Sequence, residues 1–477
     1  MTHNHTVYTN SLTRHGNSML YIAKEGNEKF LYVFDKGEAY GALDGDVIAL
    51  PGGNAKRCSL TNANAAIMRQ LFPFTNPISH KGRSFTIGLG DRLGLASPGH
   101  LRLVKDMDVF PVLAQQSIRE LNLTGRTYDD VLSAAVWAVF QEGYRKGYGA
   151  DGDHLKTHAE VKMALDCGFT MITLDCSEHL RNDAAALGDT QIDSLYGSLD
   201  AAVTKPLESE YLGKTIKLDE GAEIAFSGTI LKKIILVYLG AVQHIVSVYN
   251  ELLRGRNVDL EVSVDETAFT TSPEAHYFIS SELQKAGVEI VSLAPRFCGE
   301  FQKGIDYRGD VNEFAKEFVI HAKIAKKMGY KLSIHSGSDK FAVFPVIYKE
   351  TDRVVHLKTA GTNWLEALRV IAVKKPELFR ELHKFALNRL QEAKKHYHIT
   401  ENAAAIPDIN TLCDSELSSL LDQNDARQVL HVTYGEMLLA KNPDGTAVYK
   451  DAIYEALNKY ESDYYSALGS HINRHIL

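Results

Sequence analysis

The stretch Tyr148-Gly-Ala-Asp-Gly-Asp-His-Leu-Lys-Thr157 ends an apparent strand in the pair Asp153-His154. Polar residues also close other strand-like runs, at Asp91-Arg92, Gln115-Gln116, Asp175, Glu266, Arg296, His335 and His356-Leu-Lys358. Three histidines at three strand ends, His154, His335 and His356, could hold one divalent cation through neutral imidazole nitrogens and leave positions open for a chelating substrate. Zinc, manganese, cobalt and nickel all suit such ligands. Asp153 and Glu266 supply paired carboxylates, the types needed to take and return a proton on either side of a sugar carbon. Glu266 closes the run Val262-Ser-Val-Asp-Glu-Thr, where metal ligation or a salt bridge to Arg296 or Lys358 is the alternative to catalysis. Strand alternation sends Asp265 and Glu266 to opposite faces, and Glu266 is the one expected in the pocket.

After His335 comes Ser336-Gly-Ser-Asp-Lys340, which reads either as a plain turn or as an anion cradle of backbone N–H groups with Lys340 adding charge. Arg296 and Lys358 are the other cations expected to meet a substrate anion.

Such residues converge only if the strands share a rim. Eight candidate strands run over 85–89, 109–114, 148–152, 170–175, 260–265, 289–293, 331–335 and 354–358, and helical patterns separate most of them. Tyr128 to Lys146 follows a capping Thr127, Pro273 to Ala286 follows Ser272, and Val311 to Met328 ends at Gly329. The rhythm predicts an α/β fold, a closed (β/α)8 TIM-type barrel, with a doubly wound open sheet as the alternative. Residues 1–80 read as a small β-rich region, 81–375 as the catalytic barrel and 376–477 as a helical C-terminal extension. Residues 181–225 read as an irregular excursion over the barrel mouth.

Length and composition set the limits. The chain of 477 residues has 52 basic and 60 acidic side chains, a net charge of −8, and 45% apolar residues. It carries no basic-aromatic stripe for a phosphate backbone, so nucleic acid is not an expected partner. The start, Met1 to Thr6, does not read as a secretory signal. The apolar stretch Ile230 to Tyr249 is broken by Lys232, Lys233, Gln243 and His244, which predicts a buried helix rather than a membrane span. Five scattered cysteines point to neither a disulfide framework nor a thiolate zinc site. A cytoplasmic location follows, while the oligomeric state, a homo-oligomer included, stays open.

The Asp-His pair and the later Ile-His-Ser-Gly-Ser turn resemble the metal-dependent class II ketose aldolases, in which the Asp transfers a proton and the adjacent His binds the metal. Over most of its length the chain more closely resembles the tagaturonate epimerase family, through Gly88-Leu-Gly-Asp-Arg-Leu-Gly, Gly149-Ala-Asp-Gly-Asp-His-Leu-Lys-Thr, Ser263-Val-Asp-Glu-Thr, Ala294-Pro-Arg-Phe and Ile334-His-Ser-Gly-Ser-Asp-Lys-Phe. That resemblance implies a metal-dependent enzyme interconverting tagaturonate and fructuronate, with weaker action on tagatose and fructose. It carries over Asp153, His154, Glu266, His335 and His356. Three other readings stand beside it: a true class II aldolase, a non-catalytic barrel subunit and a nicotinamide-dependent epimerase. The last lacks a correctly spaced Gly-x-Gly-x-x-Gly turn.

Overall fold

The computed structural model describes residues 5–50, 53–267 and 269–477. Met1 to Asn4, Pro51, Gly52 and Ala268 lie outside them.

Eight parallel strands close into a barrel in chain order: β1 (Phe85–Gly88), β2 (Phe110–Ser117), β3 (Gly149–Leu155), β4 (Met171–Asp175), β5 (Asp259–Ser263), β6 (Ser292–Ala294), β7 (Lys331–Ile334) and β8 (Val355–Lys358). The open-sheet alternative is thereby excluded. Helices between the strands start and stop where the sequence supplies caps. Thr127 and Thr157 each open a capping box with Asp130 and Glu160, and Ser117 does so with Glu120. Gly143 and Gly329 end their helices in the left-handed region, at φ 58° and 82°.

One irregularity matters for function. Ile172 pairs with Gly152, yet Leu174 pairs with Leu155, so β3 carries an extra residue where Asp153 and His154 sit. A bulge of this kind re-aims side chains, and His154 adopts φ 52° within it. Two consecutive residues can thus face the same cavity.

The N-terminal region is an antiparallel sheet in which Ser18–Glu25, Glu28–Phe34 and Gly53–Ser59 are neighbours. Its Leu20 and Leu31 share a core with Phe72 and with Val136, Trp137 and Phe140 of the barrel helix Tyr128–Glu142. Residues 181–225 contain three short helices and a hairpin, Thr215–Lys217 with Glu223–Ala225. They pack on the outside against the helix Gly228–Val248, and none of them lines the mouth cavity, which corrects the expected excursion. That helix is long and apolar enough to cross a membrane, but half of its most apolar window is buried in the fold.

The C-terminal helices have a core of their own, built from Trp364, Phe379, Leu382, Val429, Leu430 and Tyr464 among others. The helix Asn363–Lys374 after β8 contributes Leu365, Leu368 and Ile371 to it, so the extension is continuous with the end of the barrel.

Candidate active site

At the C-terminal ends of the strands lies a cavity of about 370 Å³, lined by residues from several strand ends and by the C-terminal extension. Asp153, His154, Glu266, Arg296, His335 and Lys358 all line it. Asp265 lines it as well as Glu266, because β5 ends at Ser263 and alternation no longer governs the two residues beyond.

Beneath this cavity the barrel interior is polar. Nζ of Lys358 donates to Asp153 at 2.6 Å and Thr173 at 2.6 Å, and lies 2.9 Å from Glu261 and 3.3 Å from Asp151. Nε2 of His335 is 2.8 Å from Glu261, whose other oxygen accepts from Ser292 at 2.5 Å. One lysine thus holds together three carboxylates from two strands.

The electrostatics follow from this arrangement. Burial opposes ionisation of Asp153, but Lys358 and His154 outweigh it and hold the carboxyl below its ordinary range. Glu261 is depressed in the same way, chiefly by Lys358 against burial. Asp151 goes the other way, because burial there exceeds the pull of Lys358. Burial also works against charge on His335, yet Asp265 and Glu261 raise its pKa to about 9.

His154 and His335 meet edge to face with ring centroids 4.9 Å apart. Nδ1 of His154 is buried without a hydrogen-bond partner among the described residues, 3.9 Å from Asp175. Ligating atoms of His154, Asp175 and Glu266 all lie within 4.8 Å of one another. An orphaned imidazole nitrogen beside two carboxylates fits a divalent cation.

His356 is not part of this group. It pairs with Thr86 and Ser333 in register, two residues short of the rim position held by Lys358, or about 6.6 Å deeper. Its Nδ1 contacts Thr86 Oγ1 at 2.7 Å, its ring stacks on His80, and it does not line the cavity. Lys340 also departs from expectation as an anion ligand. It is fully buried and donates to the carbonyls of Gln302 (2.8 Å), Ile305 (2.6 Å) and Ser338 (2.9 Å), so its donors are spent on the backbone. Lys358, buried against carboxylates, is likewise committed. Arg296 does line the cavity, with Nη1 donating to the Thr267 carbonyl.

The turn after His335 is anchored from the far end of the chain. Asp339 pairs with Arg427 at 2.8 Å and His471 at 3.3 Å, and its N–H donates to His475 at 2.9 Å. Asp339, His471 and His475 could hold a cation by spacing alone. Their nitrogens are already used, however: His471 also contacts Thr362 and His475 contacts the His471 carbonyl. Gly337 lets the turn lie on β8, since a Cβ there would come 2.4 Å from Leu357.

A sequence model of the tagaturonate epimerase family matches residues 8–477. The chain belongs to that family. A tagaturonate/fructuronate epimerase of Thermotoga maritima is 38% identical over 473 residues, 98% of this chain and 96% of that protein. The crystal structure of the fructuronate-tagaturonate epimerase of Cohnella laeviribosi superposes with a TM-score of 0.96 at 46% identity, covering 99% of this chain and 96% of that one, as does its glycerol complex. Membership makes the protein an enzyme of the isomerase class.

Within this epimerase fold, Glu261 went unread in the sequence, and Asp265, expected to face away from the pocket, lines it. The signal for Glu261 was present: in Asp259-Leu-Glu-Val-Ser263 the polar residues alternate, so Asp259, Glu261 and Ser263 share one face of β5. Lys303, Tyr397 and His431 also line the cavity from segments with no strand-end signature, and Arg119 lines it from just beyond the end of β2.

Proposed function

We propose that the protein interconverts D-tagaturonate and D-fructuronate by breaking and remaking a C–C bond, assisted by one divalent cation. The observation that carries the reading is the orphaned His154 nitrogen at a cavity shared with Asp153 and Glu266, in a chain of this family. His154 and His335, with Asp175 beside His154, would hold the cation and leave Glu266 for proton transfer, and His356 drops from the ligand set. When bound, the cation would act as a Lewis acid toward the substrate's ketone.

The inverted carbon lies two bonds from that ketone, so its hydrogen is not acidified and direct deprotonation faces a high barrier. A route through the hydroxyl avoids this. Asp153, kept ionised by Lys358, takes the proton of the hydroxyl on the inverting carbon. The bond between that carbon and its neighbour toward the ketone then breaks, giving an aldehyde and an enediolate. After the aldehyde turns its other face the bond re-forms, Glu266, protonated at the start of this direction, gives its proton to the new alkoxide, and the proton on Asp153 passes back to Glu266 through the water of the cavity before the next turnover. The roles exchange in the reverse direction.

Turnover of tagaturonate by metal-loaded protein in deuterated water tests the route. Fructuronate without deuterium at the inverted carbon is expected, and incorporation at that carbon would overturn it.

A further inference from the structure

A cluster of cations not assigned a role so far, Arg92, Arg119 and Lys303, lines the same cavity. Arg92 is 4% exposed, donates to Glu120 at 2.9 Å and stacks on Tyr434 with its guanidinium carbon 3.7 Å from the ring centroid. Its Nη1 is buried with no hydrogen-bond partner among the described residues. A guanidinium nitrogen left dry and unpaired costs free energy that a bound anion would recover. Lys303 donates to the Ser336 hydroxyl at 2.9 Å, and Arg119 reaches the His396 carbonyl at 3.4 Å; both partners are neutral. Glu120 pairs directly with Arg92, while Arg119 and Lys303 make no ion pair with a carboxylate among the described residues.

Next to them, His431 is fully buried with both ring nitrogens unpartnered among the described residues, and the fold leaves it room: a Cβ at Gly361 would sit 2.7 Å from its Nε2. Burial, followed by Arg92 and Lys303, keeps this imidazole neutral, so it can donate to or accept from a hydroxyl.

We propose that Arg92, Arg119 and Lys303 form the subsite for the substrate's carboxylate, with His431 meeting a neighbouring hydroxyl. The assignment rests on the epimerase reading for its ligand, a six-carbon keto acid. It replaces Lys340, whose donors are spent, and makes the C-terminal extension part of substrate recognition. Planar guanidinium groups beside an ammonium suit a carboxylate, and a neutral sugar would leave Arg92 unsatisfied.

The test compares binding of two unreactive open-chain probes, D-galactonate and galactitol, to the full-length metal-loaded protein by calorimetry. Wild type should prefer the acid by about 10- to 100-fold, as charge-assisted hydrogen bonds imply. Lys303→Met should erase most of that preference. Arg92→Met is paired with Glu120→Gln so that no buried carboxylate is stranded and the capping box survives; this double variant should also lose the preference and raise KM for tagaturonate more than it lowers kcat. No preference in wild type, or a preference that survives in both variants, would overturn the subsite. A wild type that shows the Lys303-dependent preference but does not turn over tagaturonate would instead defeat the epimerase reading and leave the anion site standing.

Discussion

At the scale of single residues the site turns on Lys358. Its ammonium faces Asp151, Asp153 and Glu261 in the dry barrel interior, and the carboxylates can share that space only because it is there. Lys358→Met should therefore cost stability, about 3–5 kcal/mol if it behaves like other broken buried pairs, measured by urea unfolding. Asp153→Asn is nearly isosteric and leaves Lys358 its other two carboxylates, so it should cost less stability than Lys358→Met while lowering kcat by about 10²- to 10⁴-fold. Should Asp153→Asn retain full turnover, the carboxylate is structural only. The same scale explains where two of the expected site residues sit. Lys340 follows a Gly/Ser turn and looks like an anion ligand, but sequence does not tell that three carbonyls close around it. His356 and Lys358 share a face by alternation, and only the residue nearer the strand end reaches the rim.

At the scale of elements, the eight strands were legible because short apolar runs ended in polar residues and helical patterns, several with a cap, separated most of them. Their limits moved modestly: β2 extends to Ser117, and β6 starts at Ser292 rather than Glu289. The bulge in β3 left no sequence mark, since it depends on pairing with β4. Nor was the roof legible, because 396–398 and His431 reach the mouth through the packing of the C-terminal helices and not through any local period. The last helix, Glu461–Ile476, holds the turn beyond His335 through His471 and His475. His475→Ala frees the Asp339 N–H and should lower kcat/KM by about 10-fold, with a smaller loss of thermal stability, through loosening of that turn. Unchanged kinetics with lower Tm would show that the anchor serves stability alone.

Across the whole molecule, burial of histidine sets the response to acid. Burial depresses His80 to about 2 and His100, His321, His383 and His475 to about 4. The unfolded chain takes up protons near pH 6.5, well before these native sites do, so the stability they contribute is present above that pH. It is lost as pH falls through 6.5 toward 4, at up to about 1.4 kcal/mol per pH unit for each histidine. Urea midpoints should fall steeply between pH 7 and pH 5, ahead of the range in which carboxylates titrate. A flat profile there would mean that the histidines are hydrated in solution.

The roof over the barrel mouth has a further consequence for how the protein comes into being. Tyr397 and His431 complete the cavity, and His475 steadies the turn beside it, although all three follow the last strand. A chain emerging from the ribosome would thus have every barrel strand outside before it could act on anything. Activity would switch on late in synthesis, and a message cut short near its 3′ end would yield barrels without a catalyst.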